Sequence, residues 1–230
     1  MSVPGWGSDL RELVIVGAGG HGREIASYLQ DGVAERARLR LLGFIDEALT
    51  PGWVNGLEVL GGLDRLVDLA AARPAEEPLL YIVAVGGSSD RRRLVARLSQ
   101  CAPRLAPWTL RHGSAVVGAE VEIGEGTCLA PMSIVTTRVR IGRHSILNVR
   151  ASVSHDCVVG EFVDLNPGAV VCGQVNIGDG CYIGAGATVI DHITIGPGTI
   201  VGAGAVVTRD LPGGVTAVGV PARIIKHHQV

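Results

Sequence analysis

His155 and Asp156 stand side by side in the word ASVSHD, within a stretch whose other residues are mostly small or apolar. A neutral imidazole outside the core, oriented by a carboxylate, is a competent general base near neutral pH. The carboxylate favours the charged ring and so raises its basicity. A solvated corner histidine is the plain alternative. A second group with chemical meaning lies near the start, in LVIVGAGGHGREIASYLQ (13–30), which reads as a buried strand, a glycine turn and a helix. Gly17, Gly19 and Gly22 satisfy G-x-G-x-x-G, with Gly20 and His21 inside the loop, so backbone N–H groups and the helix N-terminus would approach a phosphate. A tight turn without a ligand is the plain alternative there. LLGFIDE (41–47) is a second strand, ending in Asp46 and Glu47 at a suitable distance for a ribose or base. A third strand runs into a glycine–serine loop that carries Gly86 and Ser88, and the Arg91–Arg93 run behind it reads as a solvated helix face rather than a phosphate site.

The elements that must position these groups are of two kinds. Residues 115–210 divide into sixteen consecutive six-residue words without an insertion, from AVVGAE and VEIGEG to TIVGAG and AVVTRD. The third letter of every word is aliphatic, the first is usually small or β-branched, and the fourth is most often Gly. Neither a 3.6-residue helical stripe nor a two-residue strand alternation has a memory of six. A period of six means one short strand and one corner per word, the pattern of a parallel β-helix. With three words per triangular turn, residue i lies roughly 4.8 Å below residue i+18, and the aliphatic third letters fill the prism. Glycines would serve the corners, where backbone dihedrals are unusual.

The eighteen-residue step adds detail to the site. One turn along from His155 stands Gly173, which has no side chain and can offer its N–H to a developing oxyanion. Ala185 and Ala203 are also eighteen apart and stack in another corner column, a smooth strip for an extended arm. Asn148, in SILNVR, and Asp164, in VDLNPG, belong to the few polar words.

Before the repeat, strand, helix, strand, helix, strand, helix is an α/β pattern with a short parallel sheet of at least three strands. In it, 50–62 reads as a polar stretch and LDRLVDLAAAR as a helix with Leu63, Leu66, Val67 and Ala70 on one face. A ligand belongs at the carboxyl ends of the strands, and the small sheet suits a mononucleotide or the nucleotide half of a larger substrate better than a dinucleotide. CAPRLAPWTLRHG (101–113) reads as a Pro-broken connector, and the end of the chain as a basic tail with His227 and His228 frayed. Two domains are expected, 1–107 and 108–230.

A net charge of −2 argues against a general nucleic-acid binder. The opening MSVPGWGSD shows no signal peptide and no apolar run reaches membrane-spanning length, so a cytoplasmic enzyme is expected. The five cysteines (101, 128, 157, 172, 181) form no C-x-x-C pair and indicate neither a disulfide framework nor a zinc site; Cys157 and Cys181 read as core fillers.

GAGGHGREIASYL, FIDE at 44–47, SHDCVVGEFVDLNPGAVVCGQVNIGDGCYIGAGATV at 154–189 and VGVPARIIK together resemble the sialic-acid O-acetyltransferase-like branch of the hexapeptide acyltransferases, nearest to bacterial nucleotide-sugar N-acetyltransferases. The resemblance implies a left-handed β-helix and a homotrimer. It also implies acetyl-CoA as co-substrate without a metal, and a nucleotide-linked amino sugar (UDP or GDP) as acceptor for surface-glycan, lipopolysaccharide or glycoprotein biosynthesis. It assigns His155 as general base supported by Asp156, the Gly173 amide to the acetyl group, and Ala185 and Ala203 to coenzyme A. The nucleotide would sit on Gly17–Gly22, Asp46 and the Gly86 loop. Position 164 would lie near the acetyl end of coenzyme A, where many relatives carry a histidine and this chain has aspartate.

Three rival readings share the scaffold: O-acetylation of a sugar hydroxyl, a metal-dependent hydratase of the γ-carbonic-anhydrase kind, and a non-catalytic assembly module. His144, His155 and His192 lack the H-x-x-x-x-H spacing that the hydratase needs. The polar break at 148–156 and the separate nucleotide-type domain weigh against a bare scaffold.

Overall fold

The structure, a computed structural model, describes residues 10–228. The reading of MSVPGWGSD lies outside the described residues. Contacts divide the chain into two units. One runs to Val85 and resumes over Leu94–Trp108; the other takes Gly86–Arg93 and everything from Thr109 on.

In the first unit the elements are β1 (Arg11–Val16), α1 (Gly20–Tyr28), α2 (Ala34–Arg36), β2 (Leu39–Ile45), β3 (Gly52–Val54), β4 (Leu57–Gly61), α3 (Leu63–Ala71), β5 (Leu79–Val83), the later part of α4 (Ser88–Cys101) and β6 (Leu105–Pro107). They form a six-stranded sheet in the order β3-β4-β2-β1-β5-β6, parallel except for the β3–β4 pair. β1 and β5 are apolar on both faces because both faces are covered: Leu13, Val14, Ile15, Leu79 and Ile82 are all buried. Leu63, Leu66 and Ala70 of α3 are buried as their spacing requires.

Two expectations need correction here. The polar stretch 50–62 contains the β3–β4 hairpin, whose turn residues Asn55 (φ 48°) and Gly56 (φ 75°) both occupy the left-handed region demanded by a two-residue turn matched to strand twist. The Pro-broken connector contains β6 and, at Leu110–Arg111, the first strand of the coil. The coil therefore starts before the first regular word.

The second unit is a parallel β-helix, left-handed as in the acyltransferases it resembles. Its two- and three-residue strands stack into three sheets in steps of eighteen: Ile146 pairs with Asp164, which pairs with Tyr182. The third letters from Leu129 to Val207 are buried in one continuous column, and Val117 and Ile123 at the open end are partly buried against it. Burying an aliphatic side chain contributes about 1.5–3 kcal/mol, so the column is the main source of stability. Three first letters donate to the next coil: Thr127 to Gly142 O (3.0 Å), Ser145 to Gly160 O (3.0 Å), and Cys181 to Gly196 O (3.1 Å). Cys157 and Cys181 are thus packing residues, and burial pushes the Cys181 thiol up to about 11.

Left-handed backbone at the corners falls on the sixth letters, from Glu120 through Arg138, Asp156 and His192 to Gly204, and not on the fourth-letter glycines. Those glycines answer to close approach. A Cβ on Gly178 would lie 2.6 Å from Pro197 N, and one on Gly184 2.5 Å from Ala203 N.

The tail is not frayed. Val215–Val218 extends the eight-stranded sheet, and Arg223–His227 folds back on it as its one antiparallel strand. His228 N–H donates to Gly214 O (2.7 Å), and its Nε2 lies 2.7 Å from Thr216 Oγ1.

Candidate active site

His155 is a fifth letter, so it stands at a corner, and its side chain is 55% exposed. Its Nδ1 lies 2.8 Å from Asp156 Oδ2. A carboxylate only accepts, so the neutral ring carries its proton on Nδ1 and presents the Nε2 lone pair. Asp156 occupies the left-handed sixth-letter position (φ 61°), which turns its carboxylate back toward the ring. Its second oxygen meets Arg138, one coil below, at 2.8 Å. Hydrogen bonds from His155 and then Arg138 hold the Asp156 carboxyl below the usual carboxylate range. It therefore stays ionised wherever His155 can act as a base.

The coil step brings the His155 ring directly against Gly173, one coil above it. A Cβ on Gly173 would lie 2.5 Å from Cε1 and 2.7 Å from Nε2 of the ring, so only glycine leaves the ring its place. The Gly173 N–H is already engaged, donating to Asp191 Oδ1 at 2.9 Å. Asp191 is another eighteen residues on, and the same arithmetic that found Gly173 would have found it.

Ala185 and Ala203 are exposed and stacked, with Gly204 N–H donating to Ala185 O (2.8 Å). They stand at the corner after the eight-stranded sheet, whereas His155 stands at the corner after the six-stranded one. Asn148, half-buried, turns its Oδ1 onto the Val149 N–H (2.7 Å).

Asp164 does not face an open surface. It is 6% exposed, and its Oδ1 accepts from Arg91 at 2.7 Å. Arg91, expected on a solvated face, is 1% exposed, and also donates to His144 O (2.9 Å) and Phe162 O (3.3 Å). Arg92 lies 4.7 Å over the Phe162 ring, which stacks on His144 at 5.3 Å. Ser88, at the start of the same helix, donates to Gly180 O (3.1 Å). These bonds group Gly86–Arg93 with the coil; of the arginine run Arg92 and Arg93 stay exposed, Arg93 paired with Asp90. Burial, aided by Arg143 and Arg91, pushes His144 down to about 4, so it is neutral and structural. Among the described residues no cluster of three or more His, Cys, Asp or Glu is arranged to hold a metal ion.

In the first unit the glycine loop has the geometry its spacing predicts. Gly17 (φ 107°) makes the turn, and a side chain on Gly22 would collide with the Gly17 carbonyl. Gly19 and Gly20 are exposed at the N-terminus of α1 with open space above them. His21 turns Nδ1 toward Glu24 at 3.2 Å. Asp46 makes local bonds to the backbone. Its Oδ2 accepts from the Ala18 N–H (2.8 Å), and its Oδ1 from Ala48 (2.9 Å) and Leu49 (3.2 Å). The carboxylate therefore pins the glycine loop to the end of β2. A cleft of about 210 Å³ opens at the carboxyl ends of β1 and β2, lined by Gly17, Asp46, Leu63 and Leu94 among others.

Comparison with known proteins agrees with this layout. Residues 12–98 match the PglD N-terminal domain, and 174–209 match the bacterial transferase hexapeptide (six repeats). A UDP-N-acetylbacillosamine N-acetyltransferase of Bacillus subtilis (strain 168) is 36% identical over 120 residues, 52% of this chain; the matched stretch spans about half (51%) of that curated relative. A histidine-to-asparagine variant of perosamine N-acetyltransferase from Caulobacter crescentus, in complex with CoA and GDP-perosamine, is 33% identical with a TM-score of 0.83, over 94% of this chain and 97% of that one. The acetyltransferase domain of PglB from Neisseria gonorrhoeae FA1090, in complex with acetyl coenzyme A, is 30% identical with a TM-score of 0.79, over 94% of this chain and 100% of that one. Agreement along nearly the whole length, in the glycine-loop domain and in the coil alike, means that the chain belongs to the left-handed β-helix, hexapeptide-repeat acyltransferases that carry a PglD-type N-terminal domain.

Proposed function

We propose that this protein is an acetyl-CoA-dependent N-acetyltransferase acting on the amino group of a nucleotide-linked amino sugar. The observation that carries the reading is the His155–Asp156 pair, 2.8 Å apart, with Nε2 presented beside Gly173. The acceptor amine attacks the thioester carbonyl carbon and gives its proton to His155 Nε2. A C–N bond forms, the C–S bond breaks, and the thiolate leaves to become free coenzyme A by taking up a proton. The Gly173 N–H supports the oxygen on which charge develops. Asp156 orients the ring. No metal takes part in these steps.

The nucleotide end belongs to the first unit. The free N–H groups at Gly19 and Gly20 and the start of α1 suit a diphosphate, with Asp46 shaping the loop. Coenzyme A is assigned to the Ala185–Ala203 strip. That strip and His155 stand on different edges of one prism, which supports a site completed by a neighbouring copy in a homotrimer. The sugar-nucleotide relatives carry both GDP and UDP, so either base fits. A cytoplasmic setting and a role in making lipopolysaccharide or another surface glycan belong to the same proposal; among the described residues no helix is long and apolar enough to cross a membrane.

The test is continuous thiol release from acetyl-CoA with a panel of UDP- and GDP-amino sugars beside free sialic acid. Release with a nucleotide amino sugar is the expected result. Release with the free sugar alone would replace N- by O-acetylation, and the absence of any coenzyme A binding would return the protein to the scaffold reading.

A further inference from the structure

Gly173 is a buried residue packed against the His155 ring, and the N–H of a buried residue needs an acceptor. In this structure the acceptor is the Asp191 carboxylate, 2.9 Å away. Asp191 itself is exposed, so its side chain can turn out into water without losing solvation. An acetyl carbonyl that came to the same N–H would have to displace it, since one N–H makes one strong hydrogen bond at a time. A carboxylate is the stronger acceptor of the two. We propose that Asp191 is an internal competitor for the acetyl carbonyl at Gly173, and that it sets how strongly the protein prefers acetyl-CoA to free coenzyme A. The inference rests on the acetyltransferase reading above.

The coil contains its own control. Asp179 accepts from the Glu161 N–H at 2.9 Å, the same fifth-letter to fifth-letter bond eighteen residues apart, at the next corner and away from His155. A purely structural ladder would make the two aspartates equivalent. Competition makes only Asp191 matter for ligand choice. Removing it gives the acetyl carbonyl an uncontested donor and strengthens acetyl-CoA binding, whereas coenzyme A, which has no acetyl carbonyl, gains nothing.

The experiment is calorimetric titration of acetyl-CoA and of coenzyme A into the full chain and into Asp191→Ala, Asp191→Asn and Asp179→Ala. The ratio of the two dissociation constants, coenzyme A over acetyl-CoA, should rise roughly tenfold in Asp191→Ala, the factor that 1.4 kcal/mol is worth. It should rise less in Asp191→Asn, which keeps a neutral acceptor in place, and stay unchanged in Asp179→Ala. Should Asp191→Ala fold poorly, the Asn variant carries the same comparison. A ratio unmoved in both Asp191 variants, or moved equally in Asp179→Ala, overturns the competitor while leaving the acetyltransferase standing. An unaltered protein that binds neither ligand overturns the enzymatic reading first, and the competitor with it.

Discussion

Two clusters in the coil are built from the same three residue types and have opposite uses. At the His155 corner, His155, Asp156 and Arg138 form a chain of 2.8 Å contacts with the imidazole 55% exposed. Beneath α4, His144, Asp164 and Arg91 are all nearly inaccessible to solvent, His144 stacked on Phe162 and Asp164 bound by the guanidinium. Exposure decides the difference. In water the carboxylate and the ring keep their solvation, and the ring presents a free nitrogen to a ligand. Out of water a charge must be matched permanently, and a histidine is held neutral, which is why His144 sits at about 4. The first cluster has the exposure that the proposed proton transfer requires, and the second anchors a helix segment on the coil.

The largest effect that would sharpen this contrast is in turnover. His155→Ala should lower it by about 10²–10⁴-fold, the usual weight of a general base, with nucleotide-sugar affinity and thermal midpoint unchanged. Undiminished thiol release in that variant would end the assignment. Next in size is a stability effect. Arg91→Ala strands the Asp164 carboxylate in a dry site, which costs about 3–5 kcal/mol in a urea-unfolding series, partly recovered by adding Asp164→Asn. Arg138→Ala, at an exposed pair, should cost under about 1 kcal/mol. Equal losses at the two arginines would erase the distinction.

Gly173→Ala probes the first cluster without touching its ionisable groups. The new methyl would meet the His155 ring, whose free end can rotate away, so the fold should persist while a misplaced base lowers turnover about a hundredfold. Normal activity would show that the ring need not sit against Gly173. A further effect is in acid stability. His144 takes up a proton near 6.5 when unfolded and only near 4 when folded. Below 6.5 the unfolded chain therefore holds a proton that the folded chain refuses, and stability that is complete above 6.5 declines as pH falls toward 4. His144→Asn, which tolerates the left-handed backbone there, should flatten the unfolding free energy across that window. An unchanged slope would assign the acid sensitivity elsewhere.

The repeat was legible because each word reports the same fact. The aliphatic third letter appears sixteen times, and a column of side chains at a fixed spacing has few folds open to it. The eighteen-residue step likewise places His155 against Gly173 before any coordinates are known. The β3–β4 hairpin carried its own signal in Asn55–Gly56, overlooked beside the surrounding polar residues. Asp191 was within reach of the coil arithmetic too. The fourth-letter glycines were legible as corner residues, but the need they meet is close packing of successive coils, with the left-handed dihedrals falling two residues later.

Sequence by itself determined what depends on local and periodic regularity: the coil, its apolar column, the glycine loop and the neighbouring His–Asp pair. Tertiary structure alone decided which polar groups keep their water. Nothing in RRR distinguishes Arg91, 1% exposed, from Arg93, whose side chain is 79% exposed, because burial depends on what packs against the helix and not on the helix itself. Asp46 read as a residue at the ribose end of the site, and only the fold shows that it also ties the glycine loop to its strand through the Ala18 N–H. The last strand pairs because the final coil offers it an open edge, a partner that no pattern within VPARIIKHH announces.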